Sequence, residues 1–295
     1  PTSSLRFVAG KDLELVRTEI LPGSDPGGTS VMEFLKGARA VIHCAGVVSA
    51  TSEAAYMRGN VETTRTLLAG ATASCCETFV LVSSLAAGGP APLDAPRTEE
   101  TPARPVSDYG RSKLAAEELL AAPGLPIRTA SLRPPALYGP RDAAFLPLFR
   151  LARDGWIPRF GGNRTGFSLV DGRDAAAAAV ALLECDAARG PYHVDDGDAY
   201  TYRDMAGALA AALGRRVRTV RIPVWPLRLA AFFVGGRVAR RSRLLNPRRL
   251  SDLSAPGWVA SGEKLRRETG FAPRHDLARG FADTLAFYRR EGWLG

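Results

Sequence analysis

The sequence contains no uninterrupted apolar run of about 18 residues, so a membrane-spanning helix is not expected. No signal peptide is legible at the start, which is Pro1 and not Met. Cysteine is sparse. Cys44, Cys75, Cys76 and Cys185 have neither metal-ligand spacing nor the pattern of a disulfide framework, which excludes a zinc module and points to a reducing cytoplasm. Internal repeats and low-complexity linkers are absent, so a solenoid or bead-string architecture is excluded. Lysine is scarce as well. Only four of the 39 basic residues are Lys, and the arginines are scattered through an Ala- and Gly-rich chain. The net charge of +9 therefore reads as a compositional habit and not as a nucleic-acid stripe. One cluster, Arg237, Arg240, Arg241 and Arg243 followed by Arg248 and Arg249, reads as a solvated face, with contact to an anionic partner, membrane surface or phosphate as the lesser alternative. Also missing is any G-x-G-x-x-G or G-x-x-G-x-x-G, the turn that brings a dinucleotide's phosphates onto a helix N-terminus.

What is present suits a large core. With 295 residues and 46% hydrophobic side chains, the chain is long enough for one sizeable α/β domain or two lobes. Residues 13–20 alternate as a strand would, and Gly27-Gly28, between Pro26 and Thr29, reads as a turn. Residues 40–43 read as a buried strand with the small residues Cys44, Ala45 and Gly46 at its C-terminal end, where a ligand can approach the backbone. His43 has no other His or acid spaced to make it a ligand and reads as structural. Residues 78–82 form a second apolar, partly β-branched run ending in Ser83 and Ser84, and residues 127–132 a third.

Between the last two lies Tyr109-Gly110-Arg111-Ser112-Lys113, followed by a strong helix-forming run that Pro123-Gly124 stops. Residues four apart share a helix face, so the Tyr109 phenol and the Lys113 ammonium are expected side by side. A cation there should lower the phenol's pKa from near 10 towards a range useful for proton exchange with an alcohol or carbonyl. Ser84 can present a hydroxyl to the same substrate oxygen. A Tyr-x-x-x-Lys pair alone is a weak signal; the strand ending in Ser83-Ser84 ahead of it and the Pro-, Gly- and Ala-rich stretch between them strengthen it.

These features, in this order, resemble the extended short-chain dehydrogenase/reductases, the superfamily of nucleotide-sugar epimerases and dehydratases and of 3β-hydroxysteroid dehydrogenases. The resemblance rests on Val41-Ile42-His43-Cys44-Ala45-Gly46, Gly59-Asn60-Val61, Val82-Ser83-Ser84, Tyr109 with Lys113, Arg133-Pro134-Pro135 to Gly139-Pro140, Ser168-Leu169-Val170 to Asp174, and Gly292-Trp293-Leu294. It covers nearly the whole chain. It implies an α/β fold, a Rossmann-type doubly wound parallel sheet with a smaller C-terminal substrate-binding lobe. Residues 1–140 would form the nucleotide-binding domain, N-terminally incomplete because the first β-α-β unit is not found, and the chain is expected to be a fragment of a longer product. Residues 141–295 would form the substrate-binding lobe, with 165–198 returning to the core domain.

The resemblance also implies NAD(P)-dependent hydride transfer at a secondary alcohol or ketone, with NAD or NADP as cofactor. Tyr109 would be the acid/base, Lys113 its partner that also holds the ribose, and Ser84 the residue that orients the substrate oxygen. Cofactor contacts are expected from Glu19, Cys44, Ala45, Gly46, Asn60, Ser83, Tyr109, Lys113 and Pro134, with Asn60 also a plausible helix cap. No metal site is expected. A small-molecule substrate is expected, with a homodimer as an open option, and neither nucleic acid nor stable membrane insertion. Two alternatives stay open: a nucleotide-sugar epimerase or dehydratase, and a non-enzymatic dinucleotide-sensing relative if the glycine-rich turn is genuinely absent. The apolar Leu85-Ala86-Ala87-Gly88 after Ser84 and Pro135-Ala136 after Arg133 lean away from a sugar. Further along, Asp174 reads as a cap or packing acid and Thr201 to Asp204 as a capping box. Residues 222–238 read as an apolar helix over the substrate lobe, and residues 277–290 as the last helix.

Overall fold

A computed structural model describes residues 29–162, 165–223, 225 and 255–294. The expected strand at 13–20, Glu19, the Gly27-Gly28 turn, most of the 222–238 stretch and the 237–249 arginine cluster lie outside the described residues.

The chain first builds a parallel sheet. Helix α1 (Thr29–Leu35) leads to β1 (Ala40–His43), then α2 (Glu53–Tyr56), a π-helical turn (Met57–Glu62) and α3 (Thr63–Ala73) lead to β2 (Thr78–Val82). Helices α4 (Leu85–Gly88) and α5 (Asp108–Leu120) follow, then β3 (Arg128–Arg133) and β4 (Ala136–Tyr138). The strands pair in parallel, Ala40 opposite Thr78 and Thr78 opposite Arg128. Side chains alternate across a strand, and β2 divides accordingly. Phe79 and Leu81 pack with Leu67 and Leu68 of α3 and Ala116 and Leu120 of α5, while Val80 faces the opposite layer. Burying each such side chain stabilises the fold by about 1.5–3 kcal/mol.

The rest of the chain weaves between this sheet and a second body. Helix α6 (Leu146–Arg153), β5 (Trp156–Arg159), β6 (Gly166–Phe167) and β7 (Leu169–Asp171) precede α7 (Gly172–Glu184), whose Ala178, Ala179 and Leu182 cover the Val80 face. Strand β8 (Gly190–His193) then pairs in parallel with β3, so the sheet order is β1-β2-β3-β8 with helices on both faces, a Rossmann-type doubly wound arrangement. After β9 (Tyr200–Thr201) come α8 (Tyr202–Leu213), β10 (Arg218–Arg221), β11 (Gly257–Trp258), α9 (Glu263–Thr269) and α10 (Leu277–Arg290). The second body has its own core of Tyr138, Phe149, Ile157, Leu209, Phe281 and Tyr288. Phe281 stands edge-on to Tyr138 and to Phe149, with ring centroids 5.1 and 5.3 Å away.

Local signals explain the helix starts. Thr201 and Asp204 cap α8 reciprocally, and Asp276 accepts from the Arg279 N–H at 2.8 Å to start α10. Asp171 caps α7, whereas Asp174 is a packing acid. Its buried carboxylate accepts from the Arg274 and His275 amides and lies 3.0 Å from His275 Nδ1, pinning the α9–α10 connection.

Candidate active site

The C-terminal ends of β1, β2 and β3 converge on α5, and sequence dictates how α5 sits there. Ser107 caps it by accepting from the Gly110 N–H at 3.2 Å, with Asp108 in the first turn where a carboxylate complements the helix dipole. Gly110 lets α5 press onto α4, because a β-carbon there would come within 2.3 Å of the Ala86 carbonyl oxygen. Ser84 is the N-cap of α4 and accepts from the Ala86 N–H at 3.1 Å. This close packing brings the Ser84 hydroxyl beside the Tyr109 phenol, near enough to lower its pKa. One turn along, Lys113 is buried and its Nζ donates to the Val82 carbonyl oxygen at 3.0 Å. Ser84, Tyr109 and Lys113, separate in sequence, therefore meet at one point.

The electrostatics differ from the expectation that Lys113 acidifies the phenol. Burial pushes the Tyr109 pKa above its ordinary value; the Ser84 hydroxyl pulls it back and Tyr56, its ring centroid 6.0 Å away, pushes it further up. Lys113 is itself held below its ordinary value by burial, with Cys44 and Glu117 opposing. Desolvation disfavours the charged form of both groups.

Cys44, Ala45 and Gly46 are exposed at the end of β1. A β-carbon at Gly46 would stand 2.8 Å from Asn60 Oδ1 and 3.2 Å from Lys113 Nζ. Lacking a side chain, Gly46 packs its backbone directly against Asn60 and Lys113, and the exposed backbone of Cys44 to Gly46, with Lys113 at its flank, is the cradle open to a nicotinamide dinucleotide.

Asn60 is not a helix cap. It lies inside the π-helical turn, a deformation frequent at functional sites, and is buried. Its Oδ1 accepts from the Val47 N–H at 2.7 Å, and its Nδ2 donates to the Val47 carbonyl at 3.1 Å and to Ser112 Oγ at 2.8 Å. Asn60 therefore acts on the cradle by holding the loop after it against α5.

Ser83, expected at the cofactor, is buried and donates to Glu117 Oε1 at 2.5 Å instead. Arg133 closes on the same carboxylate, with Nε 3.0 Å from Oε1 and Nη2 2.6 Å from Oε2. Pro134 is buried, and its carbonyl accepts from the Leu85 N–H at 2.8 Å, fixing the start of α4. His43 is buried with Nε2 3.1 Å from Thr64 Oγ1, and burial, helped by Lys113, lowers its pKa to about 4. The residues missed from sequence are Glu117, Tyr56 and Ser112. Glu117 carried one usable signal, its place four residues after Lys113 on the same helical face. No cluster of three or more His, Cys, Asp or Glu able to hold a metal occurs among the described residues.

The family model described as NAD dependent epimerase/dehydratase family matches residues 10–195. A ceramide reductase from Caulobacter vibrioides (strain NA1000 / CB15N) is 28% identical over 290 residues, covering 96% of this chain and 84% of that protein. The 4-hydroxy-2-methyl-3-oxo-4-farnesyl-3,4-dihydroquinoline-1-oxide ketoreductase of Stigmatella aurantiaca is 29% identical over 261 residues, covering 83% of this chain and 76% of that protein. Among solved structures, MoeE5 in complex with UDP-glucuronic acid and NAD aligns with a TM-score of 0.69 at 23% identity, covering 91% of this chain and 85% of that one.

Proposed function

We propose, because this chain belongs to the NAD dependent epimerase/dehydratase family, that it is an NAD(P)-dependent ketone reductase acting on an apolar substrate. The observation that carries this reading is the meeting of Ser84, Tyr109 and Lys113 beside the Gly46 cradle. When bound, the dinucleotide supplies or accepts the hydride. The chain's own residues do the rest. Cys44, Ala45 and Gly46 would receive the ring, with Lys113 at its flank and Asn60 and Pro134 holding the surrounding backbone. Ser84 would orient the substrate oxygen, and Tyr109 would give it a proton. Burial that raises the Tyr109 pKa keeps that proton on the phenol at neutral pH, which suits donation to a ketone oxygen as negative charge develops there.

The substrate class rests on exposed side chains. Of seven large apolar side chains exposed among the described residues, three stand close in sequence to residues of the site. Val106 lies just ahead of the α5 cap, Leu137 lies on β4 beyond Pro134, and Val48 follows the backbone that Asn60 holds; they are 42%, 39% and 70% exposed. Exposed apolar groups near a site favour an apolar ligand there, and the names of the Caulobacter ceramide reductase and of the Stigmatella ketoreductase of a farnesyl-bearing compound agree with a lipid-like substrate. The 3β-hydroxysteroid type falls within this reading. So do assignment of residues 1–140 to the dinucleotide and 141–295 to the substrate, a cytoplasmic location, a homodimer and the use of NADP as an alternative to NAD. No helix of the described residues is long and apolar enough to cross a membrane.

The competing reading is a nucleotide-sugar epimerase or dehydratase, supported by the family description and by the UDP-sugar held in MoeE5. Turnover of NADH and NADPH with long-chain ketones, steroids and nucleotide sugars separates the two. Reduction of the apolar ketones, abolished in Tyr109→Phe by about 100-fold or more while that variant stays folded, is the expected result. Turnover confined to nucleotide sugars, or full activity in Tyr109→Phe, would refute it.

A further inference from the structure

Helix α5 meets the end of β2 at three successive levels. The Val82 carbonyl accepts from Lys113 Nζ at 3.0 Å, Ser83 gives its hydroxyl proton to Glu117 Oε1 at 2.5 Å, and the Ser84 hydroxyl stands beside the Tyr109 phenol. The helix residues involved, 109, 113 and 117, are each one turn apart on a single face. The Ser83 backbone is held from the other side as well, its N–H donating to the Leu132 carbonyl at 2.7 Å. Arg133, the next residue of β3, grips the Glu117 carboxylate through Nε and Nη2. Glu117, Arg133 and Ser83 are 8%, 4% and 4% exposed, so the network is out of water. Buried in this way, each bond is directional and costly to leave unmade.

We propose that Glu117 is a positioning residue of the reductase, which, clamped by Arg133, fixes through Ser83 where Ser84 stands relative to Tyr109. The inference rests on the roles given above to Ser84, Tyr109 and Lys113, and Glu117 itself touches neither substrate nor cofactor. Ser83 is the middle of three consecutive residues, so releasing its hydroxyl frees the peptide that carries Ser84 and lets the hydroxyl drift from the phenol. A misplacement of about 1 Å at a reacting group costs up to about 100-fold in rate. Glu117 has a second, separable influence: its charge opposes the burial that lowers the Lys113 pKa.

Two variants of the full chain test this. Ser83→Ala removes only the hydrogen bond to Glu117; Glu117→Gln removes the charge. Expected for Ser83→Ala is a kcat lowered roughly ten-fold, with a modest fall in Tm from the lost buried bond but KM and the dinucleotide affinity measured by nicotinamide fluorescence nearly unchanged. Glu117→Gln should lower kcat at least as far and also move the alkaline limb of the kcat profile to lower pH, because Lys113 loses an upward push on its pKa. The double variant should lose little more than the worse single one, since both break one link. A Ser83→Ala enzyme with kcat within about two-fold of wild type, or losses that multiply in the double variant, would overturn the proposal, and Ser83→Ala decides alone if Glu117→Gln does not fold. If wild type turns over ketones and Tyr109→Phe does not while Ser83→Ala is fully active, only this inference fails; if wild type reduces none of the ketones, the parent reading fails with it.

Discussion

Replacing Asn60 by Ala should loosen the site and the fold together. Asn60 is 2% exposed and makes three side-chain hydrogen bonds, two to the Val47 backbone and one to Ser112 Oγ. Each is worth about 1 kcal/mol net. Val47 is only half-buried, so water can reach the groups left behind and the penalty of stranding them is small. Ser112 keeps its donation to the Tyr109 carbonyl at 2.8 Å, and Thr64 its donation to the Asn60 backbone at 2.6 Å. The expected loss is therefore about 2–3 kcal/mol, or a fall in Tm of about 5–10 °C for a chain of this size, with a raised KM for the dinucleotide because the loop after Gly46 is no longer tied to α5.

Asn60→Asp sharpens the test. It keeps the acceptor for the Val47 N–H but turns a donor into a second acceptor facing the Val47 carbonyl. Burial beside a carbonyl oxygen raises the folded-state pKa of that carboxyl above its unfolded value. Its contribution is then present at acid pH, where a protonated carboxyl donates, and is lost as pH rises through the raised pKa. Thermal melts should show Asn60→Asp gaining on Asn60→Ala between pH 8 and pH 5. A Tm for Asn60→Ala within about 2 °C of wild type would show that the π-helical turn does not hold the cradle.

The other predictions concern close packing and buried histidine. Gly110→Ala puts a methyl 2.3 Å from the Ala86 carbonyl oxygen, which is backbone and cannot step aside, so α5 must lift from α4; a loss of about 1–3 kcal/mol should accompany a kcat loss, and a variant with wild-type kcat and Tm would contradict the packing. His43 and His193, with pKa values lowered to about 4 and about 3 chiefly by burial, are neutral in the folded chain. Their unfolded forms take up protons below the ordinary value of 6.5, so stability should be level above that pH and fall from there to about 4 for His43 and about 3 for His193. The His43 share is at most about 3 kcal/mol, and a His43→Gln melt series should be flatter between pH 6.5 and 4 than that of wild type.

Much of the frame was legible because it is local. β1 (Ala40–His43) and β2 (Thr78–Val82) are apolar runs closed by small residues, and α10 (Leu277–Arg290) carries an apolar stripe with Asp276 as its cap. What escaped depends on partners far along the chain. Strands β6 and β11 are two residues each and exist because Gly166 pairs with Gly257. Nothing in residues 57–62 announces a π-helical turn, since the pattern of helix-forming residues is the same whether hydrogen bonds close at four residues or five. Ser83 looked like part of the cofactor bed because it adjoins Ser84; its partner Glu117 is 34 residues away, and a strand turns neighbouring side chains to opposite faces.

The assignment of Tyr109 shows where spacing stops being informative. Four residues on a helix establish that Lys113 is near, and two charges about 6 Å apart at an effective dielectric of about 20 interact by about 3 kcal/mol, enough to acidify a phenol. That sum holds only if the surroundings hydrate both groups, which a sequence cannot reveal. Here α5 is pressed onto α4 at Gly110, and the approach that lets Ser84 reach the phenol also strips water from it. Burial then dominates, raising the Tyr109 pKa and lowering that of Lys113, whose ammonium donates to the Val82 carbonyl. The same contact that brings Ser84 to the phenol thus keeps the proton on it, and under the proposed function Tyr109 would be better prepared to protonate an alkoxide than to deprotonate an alcohol.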